Sequence, residues 1–207
     1  AIELDQIDVT QTFVNPYDNV DSLIDYVRSV RPIADMGEQK FIDNQTGKKV
    51  EHNPLLLKQF LFHFWNVRNS LDPATDWTKY QDQVRKVNYN FGTSIKKGYQ
   101  TDRGRVYLKY GPPNSRVEVP SEPNSYPYEI WQYYRIGNQS NGRFIFYDSD
   151  LITNDYELLH STVFGEIQNY RWEMVLQKRN TVQYDLDQTD PGGSQGTRAR
   201  DFFDTPR

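Results

Sequence analysis

Apolar positions recur at helical spacing along the first half of the chain and alternate along much of the second. Val20, Leu23, Ile24, Val27 and Val30 fall at i, i+3, i+4, i+7 and i+10, which predicts a helix over about 19–31 stopped by Pro32. The stretch "DNQTGKK" at 43–49 reads as a loop turned by Gly47. In "NPLLLKQFLFHFWNVRNSL", Asn53 is placed to cap and Pro54 to open a second helix. Leu56, Phe60, His63 and Val67 line one side of it, and Leu57, Leu61 and Phe64 cover the next. A helix apolar over so wide an arc belongs at the centre of a core. After "DPATD", Trp77, Tyr80, Val84, Val87 and Phe91 alternate steps of three and four, a third helix that Gly92 ends.

The period then shortens to two. Arg105, Tyr107 and Lys109 would share one strand face and Val106, Leu108 and Tyr110 the other, with Gly111-Pro112-Pro113-Asn114 forcing a turn because neither proline can donate to a ladder. Further strands are predicted at "SRVEV", "YEIWQYYRI", "RFIFYDS" and "YELLHS", with "GNQSNG" as a hairpin loop. A last helix fits 165–179, with Ile167, Tyr170, Met174 and Val175 as its stripe and Lys178 and Arg179 at its negative dipole end. From Thr181 onward the pattern dissolves into a polar, turn-rich segment expected to be a mobile tail over 181–207, closing on Phe202 and Phe203, which would dock on the domain or on a neighbour. Helices first and strands second predict an α+β fold. It has a helical part over about 19–95, an antiparallel β-meander over about 104–161 covered by helices, and one C-terminal helix, all within a single domain of residues 1–180.

Composition narrows the function classes. The 207 residues carry 24 basic and 28 acidic side chains, a net charge of −4 that lacks the bulk electropositive footprint of a nucleic-acid binder. The absence of cysteine excludes disulfides, thiolate nucleophiles and cysteine-ligated metal centres. Fifteen Tyr, 11 Phe and 4 Trp point to an aromatic core. No apolar run is long enough to cross a bilayer, and no signal peptide is visible. The start at Ala1 is expected of a processed or trimmed chain, from which any export signal or lipid anchor would be missing.

Candidate chemistry centres on "GYQTDRGR". A catalytic reading makes Asp102 a general base and Arg103 an anion clamp. A structural reading has the Thr101 and Asp102 side chains accepting backbone N–H groups in a turn, Gly104 allowing a close approach, and Arg103 paired with a carboxylate of the helical layer. The structural reading is preferred, with Gly98, Tyr99, Thr101, Asp102, Gly104, Gly111, Pro112 and Pro113 as its motif residues. Arg103, Arg105, Arg116, Arg135 and Arg143 would line a groove for an acidic ligand, or else pair with Glu118, Glu129 and Glu157 across the sheet. His52, His63 and His160 show no metal-ligand spacing, and His63 reads as a core histidine. His160 and Ser161 are adjacent in a strand, so their side chains point apart and do not make a nucleophile–base pair. Asp148, Asp150, Asn154 and Asp155 hint at calcium but lack the EF-hand glycine, and Leu159 stands where the bidentate acid belongs, so they read as a loop. "NQT" at 44–46 and "NQS" at 138–140 match the glycan-acceptor triplet, a pattern frequent by chance. The proline-rich arm over 111–127, with Tyr126 and Tyr128 beside it, would present a stiff edge; Trp131 and Tyr133 share one face, and Tyr134 the other.

The blocks "FLFHFWNVRNSLDPATDWTKYQDQVRKVNYNF", "GYQTDRGRVYLKYGPP", "YEIWQYY", "FIFYD" and "YELLHS" resemble, in order and spacing over roughly residues 20–180, the GWxTD-domain proteins of Bacteroidota and related bacteria. The tryptophan that names the motif is Tyr99 in this chain. The resemblance implies an exported, envelope-associated protein, periplasmic or at the outer membrane, often with a further domain upstream; it brings no enzyme chemistry with it. The expectation is a non-catalytic interaction module with no catalytic set, no metal and no cofactor. It would be a subunit of an envelope assembly, binding protein partners and no nucleic acid, through Tyr126, Tyr128 and a tail ordered on binding by Phe202 and Phe203. One alternative is a glycan- or anion-binding domain using Trp131, Arg103 and Arg105; another is a hydrolase using Asp102 or Glu129 with His160.

Overall fold

The structure, a computed structural model, describes residue 4 and residues 6–123, 125–177 and 198–205. The chain divides into two compact units, Ala1–Val87 and Asn88–Arg207, and the expected domain of residues 1–180 spans both.

The first unit is helical. Helix α1 is Val20–Ser29, α2 Met36–Gln45, α3 Pro54–Arg68, and α4 Pro73–Phe91, the last running on into the second unit. Each start has a local cause. The Asn19 side chain accepts the Ser22 N–H, Asp35 and Glu38 form a reciprocal capping box, and Asn53 accepts from Leu55 and Leu56 with Pro54 in the first turn. Helix α1 ends at Ser29, and Pro32 lies inside a short 3-10 turn, Arg31–Ile33. Helix α2 was not expected; its last residues, 43–45, fall in the segment read as a loop, which begins only at Thr46. The buried side of α3 is Leu57, Phe60, Leu61, Phe64 and Trp65; Val67 is exposed and His63 only half-buried, which corrects the placing of both in the core. Aromatic rings fill this core: Trp77 sits edge-on to Tyr26, donates from Nε1 to Tyr17 Oη at 3.0 Å, and lies 5.8 Å from Trp65.

The second unit carries the sheet. A 3-10 turn over Gly98–Gln100 leads into helix α5, Asp102–Tyr110. Strands β1 Ser115–Val119, β2 Tyr128–Ile136, β3 Gln139–Tyr147 and β4 Glu157–Ser161 follow in spatial order β1-β2-β3-β4, every pair antiparallel, which is the expected meander. Two short helices complete it, α6 Trp172–Leu176 and α7 Ala199–Asp204. Helices followed by an antiparallel sheet make the fold α+β.

The strand predicted over 105–110 is a helix. Thr101 caps it, accepting the Gly104 N–H at 3.1 Å. Gly111, at φ 83°, ends it in a backbone conformation that side chains disfavour. The helix turns Tyr107 and Tyr110 toward the sheet, with Tyr107 6.4 Å from Trp131 and Tyr110 5.5 Å from Phe144. Strand β2 sends Glu129, Trp131 and Tyr133 to this α5 face, where Phe144 and Phe146 of β3 join them. Tyr128, Ile130, Ile145 and Leu159 form the other face, covered by Trp172 and Leu176 of α6 and Ala199 and Phe203 of α7. A register shift opposite Ile145 and Phe146 puts both Leu159 and His160 on that second face.

The helix predicted over 165–179 is observed only as α6. Gly165 stands at φ 82° and the Ile167 carbonyl accepts the Ser161 N–H at 2.8 Å, so residues 162–171 lie along the end of β4 instead of coiling, with Ile167 and Tyr170 exposed. Lys178 and Arg179 lie outside the described residues, as do residues 181–197 of the expected tail. The tail's end is a helix seated on its own sheet. Phe203 is 5.1 Å from Trp172, Arg143 pairs with Asp204, and Arg200 pairs with Glu173, so of the two expected docking places Phe203 takes its own domain, which corrects the expectation that it orders only on binding a partner; Phe202 is half-buried beside it.

Candidate functional site

Gly98, Tyr99, Gln100, Thr101 and Asp102 turn the chain from α4 into α5, and each polar group has a structural contact. The Tyr99 N–H donates to Asn88 Oδ1 at 3.1 Å, while Gln100 Oε1 accepts the Lys97 N–H at 3.1 Å. Thr101 Oγ1 donates to the Gly98 carbonyl at 2.8 Å while accepting from Gly104, so one hydroxyl closes the 3-10 turn and opens the helix. Tyr99, in the tryptophan position, is buried. Asp102 Oδ2 accepts the Leu158 N–H of β4 at 2.8 Å. Its carboxylate therefore binds a main-chain amide distant in sequence, not one in its own turn. That bond fastens the start of α5 to the sheet.

Arg103 is buried. Its guanidinium donates to Glu129 Oε2 at 3.1 Å and to the Asn154 carbonyl at 3.0 Å, and lies 4.1 Å over the Tyr156 ring. The partner is a strand carboxylate, not the helical one expected. Glu129 also accepts from Trp131 Nε1 and pairs with Arg116, so one buried carboxylate joins β2 to both α5 and β1. Buried charge is tolerated when paired and hydrogen-bonded in this way. Arg105 pairs with Glu166 at 2.9 Å, joined on the same carboxylate by Lys109 at 2.7 Å and Tyr110 Oη at 2.6 Å. Burial works to raise the pKa of Glu166, but the hydrogen bonds from Arg105, Lys109 and Tyr110 outweigh it and hold the carboxyl at about 2, against an ordinary 4.5. No spacing in the sequence marked Glu166, because it lay inside the predicted C-terminal helix.

The glycan- or anion-binding reading loses its tryptophan, because Trp131 is wholly buried and offers no ring face to a sugar. Tyr128, expected to meet protein partners, is wholly buried as well, which corrects that placing; Tyr126 beside it is half-buried, 5.8 Å from Tyr147. The five arginines make no common groove. Arg103 and Arg116 converge on Glu129, Arg105 goes to Glu166, Arg135 donates to the Gly137 carbonyl, and Arg143 reaches Asp204.

The hydrolase set is divided by the sheet. Glu129 projects on the α5 face and is engaged by two arginines, whereas His160 lies on the other face between Trp172 and Phe203. His160 Nδ1 accepts the Asn169 N–H at 3.0 Å, and burial, with Arg200 nearby, lowers its pKa. Ser161 Oγ donates to the Arg143 carbonyl and accepts the Val163 N–H. In the 148–155 loop, Asp150 accepts the Ile152 and Thr153 N–H groups, Asp148 accepts from Leu151, and Asp155 pairs with Lys96. Among the described residues no three carboxylates, histidines or cysteines gather to hold a metal ion.

The Gly98–Asp102 turn thus fastens a capped helix to an antiparallel meander through the Asp102 carboxylate and the Thr101 hydroxyl. The chain belongs to the GWxTD domain family, whose profile matches residues 13–180. No curated protein and no solved structure matches it.

Proposed function

We propose that the chain is a non-catalytic interaction module of an exported cell-envelope protein, acting as a subunit of a larger envelope assembly. The observation that carries this reading is the Asp102 carboxylate on the Leu158 amide: the most acid-base-capable group of the family motif is engaged by main chain. One further feature supports it. Phe164, Ile167 and Tyr170 leave large apolar surface exposed along one loop, the kind of surface that partner binding uses.

The test is fractionation of cells expressing the tagged full-length protein, followed by native-gel sizing of the fraction that holds it. The reading expects the protein in the envelope fraction, migrating well above its monomer mass. A cytoplasmic species that migrates as a monomer overturns it.

A further inference from the structure

The sheet has two edge strands, and they are finished differently. At β4, the Leu158 N–H is taken by Asp102 and the Ser161 N–H by the Ile167 carbonyl. At β1, residues 115–119 make, among the described residues, no backbone hydrogen bond outside their ladder with β2. An edge strand left in that state is a template for another strand.

The side chains of β1 say which strand. Arg116 and Glu118 flank Val117 and point to the α5 face, both exposed, while Val117 and Val119 are half-buried against the apolar cluster of the other face. Turned antiparallel on itself about Val117, this strand sets Val117 opposite Val117, Ser115 opposite Val119, and each Arg116 opposite the other copy's Glu118. Opposite charges facing each other across strands stabilise a pair, and like charges in that position oppose it. Sliding the pairing by two residues puts Arg116 against Arg116 or Glu118 against Glu118. Sliding it by one sets the valines of one copy on the charged face of the other. Pro113 and Pro120, which have no N–H to donate, bound the paired segment at both ends.

We propose that β1 pairs antiparallel with β1 of a second copy of this chain, about a two-fold axis through Val117, joining two four-stranded sheets into one. The pairing deepens the interaction-module reading by naming one surface and one occupant, and it rests on that reading in that sense. Five residues a side make a small contact, so the dimer is weak and concentration-dependent.

The chain contains no cysteine, so single-cysteine variants report on the geometry directly. In sedimentation of the whole chain from about 1 to about 500 μM, the average mass rises toward twice the monomer. Val117→Cys, which lies on the axis, closes to a disulfide dimer under mild oxidation far faster than Lys48→Cys, an exposed control on the first unit. Glu118→Lys, which sets like charges against each other twice across the axis, raises the dimer dissociation constant about tenfold. Arg116 is left unaltered because it also holds buried Glu129. A monomer at every concentration, or a dimer in which Val117→Cys oxidises no faster than the control, overturns the proposal. If such a monomer still enters a larger envelope complex, the dimer falls and the interaction module stands; a β1 dimer confined to the cytoplasm reverses the two.

Discussion

Strands β4 and β1 are each five residues long and lie at opposite edges of one sheet, but the chain closes the first and, among the described residues, leaves the second open. Closure at β4 is assembled from distant pieces: the carboxylate of Asp102, the carbonyl of Ile167, and Glu166 gathering Arg105, Lys109 and Tyr110 from one helix. At β1 the only ionic partners among the described residues are Glu118 and the buried Glu129, both of them on Arg116. The difference shows what the Gly98–Asp102 turn does in this chain: Asp102 takes one backbone amide of β4 and holds the start of α5 against the sheet. The pairing proposed for β1 uses the edge that this bond does not reach.

The largest expected effect strikes what the two regions share. Glu129→Gln leaves Arg103 and Arg116 without their common carboxylate, and loss of one partner from a buried ion cluster costs about 3–5 kcal/mol. Urea unfolding measures it. A loss below about 1 kcal/mol would mean that α5 and β1 are held by packing alone.

Glu166→Gln isolates the closed edge. The folded-state pKa of Glu166, about 2, lies below its ordinary 4.5, so its stabilisation is complete above pH 4.5 and is lost as the pH falls toward 2. The substitution should cost roughly 2–3 kcal/mol at neutral pH and flatten the stability–pH curve across that acidic window. A variant whose acid transition superimposes on that of the parent protein removes Glu166 from the account.

Asp102→Ala exposes or strands a single amide and should cost about 1–2 kcal/mol, with faster hydrogen exchange at Leu158, whereas Asp102→Asn keeps an acceptor oxygen and should lose less. If exchange at Leu158 is the same in all three proteins, that edge is not closed by Asp102.

Much of this was readable in the residues, and the misses have physical causes. The meander followed from the hairpin glycine Gly137 and from the alternation in "YEIWQYYRI", where each strand residue's face depends only on parity, whereas Gly111, expected to turn one strand into the next, ends helix α5. The strand expected over 105–110 is a helix: Val106, Leu108 and Tyr110 alternate with Arg105, Tyr107 and Lys109, but Arg103, Val106, Tyr107 and Tyr110 also fall at helical spacing, and Thr101, read as a turn residue, is the helix cap that decides between the two. Helix α2 escaped because its apolar stripe is sparse, resting mainly on Phe41 and Ile42. The structural role of Asp102 was legible from residue type, but its partner was not, since Leu158 lies 56 residues away and a backbone amide has no sequence signature. The burial of Trp131, Arg103 and Phe203 was equally hidden, because an aromatic or a guanidinium reads the same on a binding face and under a helix.

The smallest expected effect separates folding from association at the open edge. Glu118 is largely exposed, and its partner Arg116 keeps a second, buried carboxylate in Glu129 when Glu118 is replaced. Exposed ion pairs contribute little, so Glu118→Gln should move the unfolding free energy of the monomer, measured at low concentration, by less than about 0.5 kcal/mol. The same neutral substitution removes both cross-axis charge pairs from the β1 contact, so it should weaken the dimer while leaving the fold intact. A melting curve displaced as far as that of Asp102→Ala would show instead that Arg116 and Glu118 brace their own sheet. The open edge would then be structural, as the closed one is.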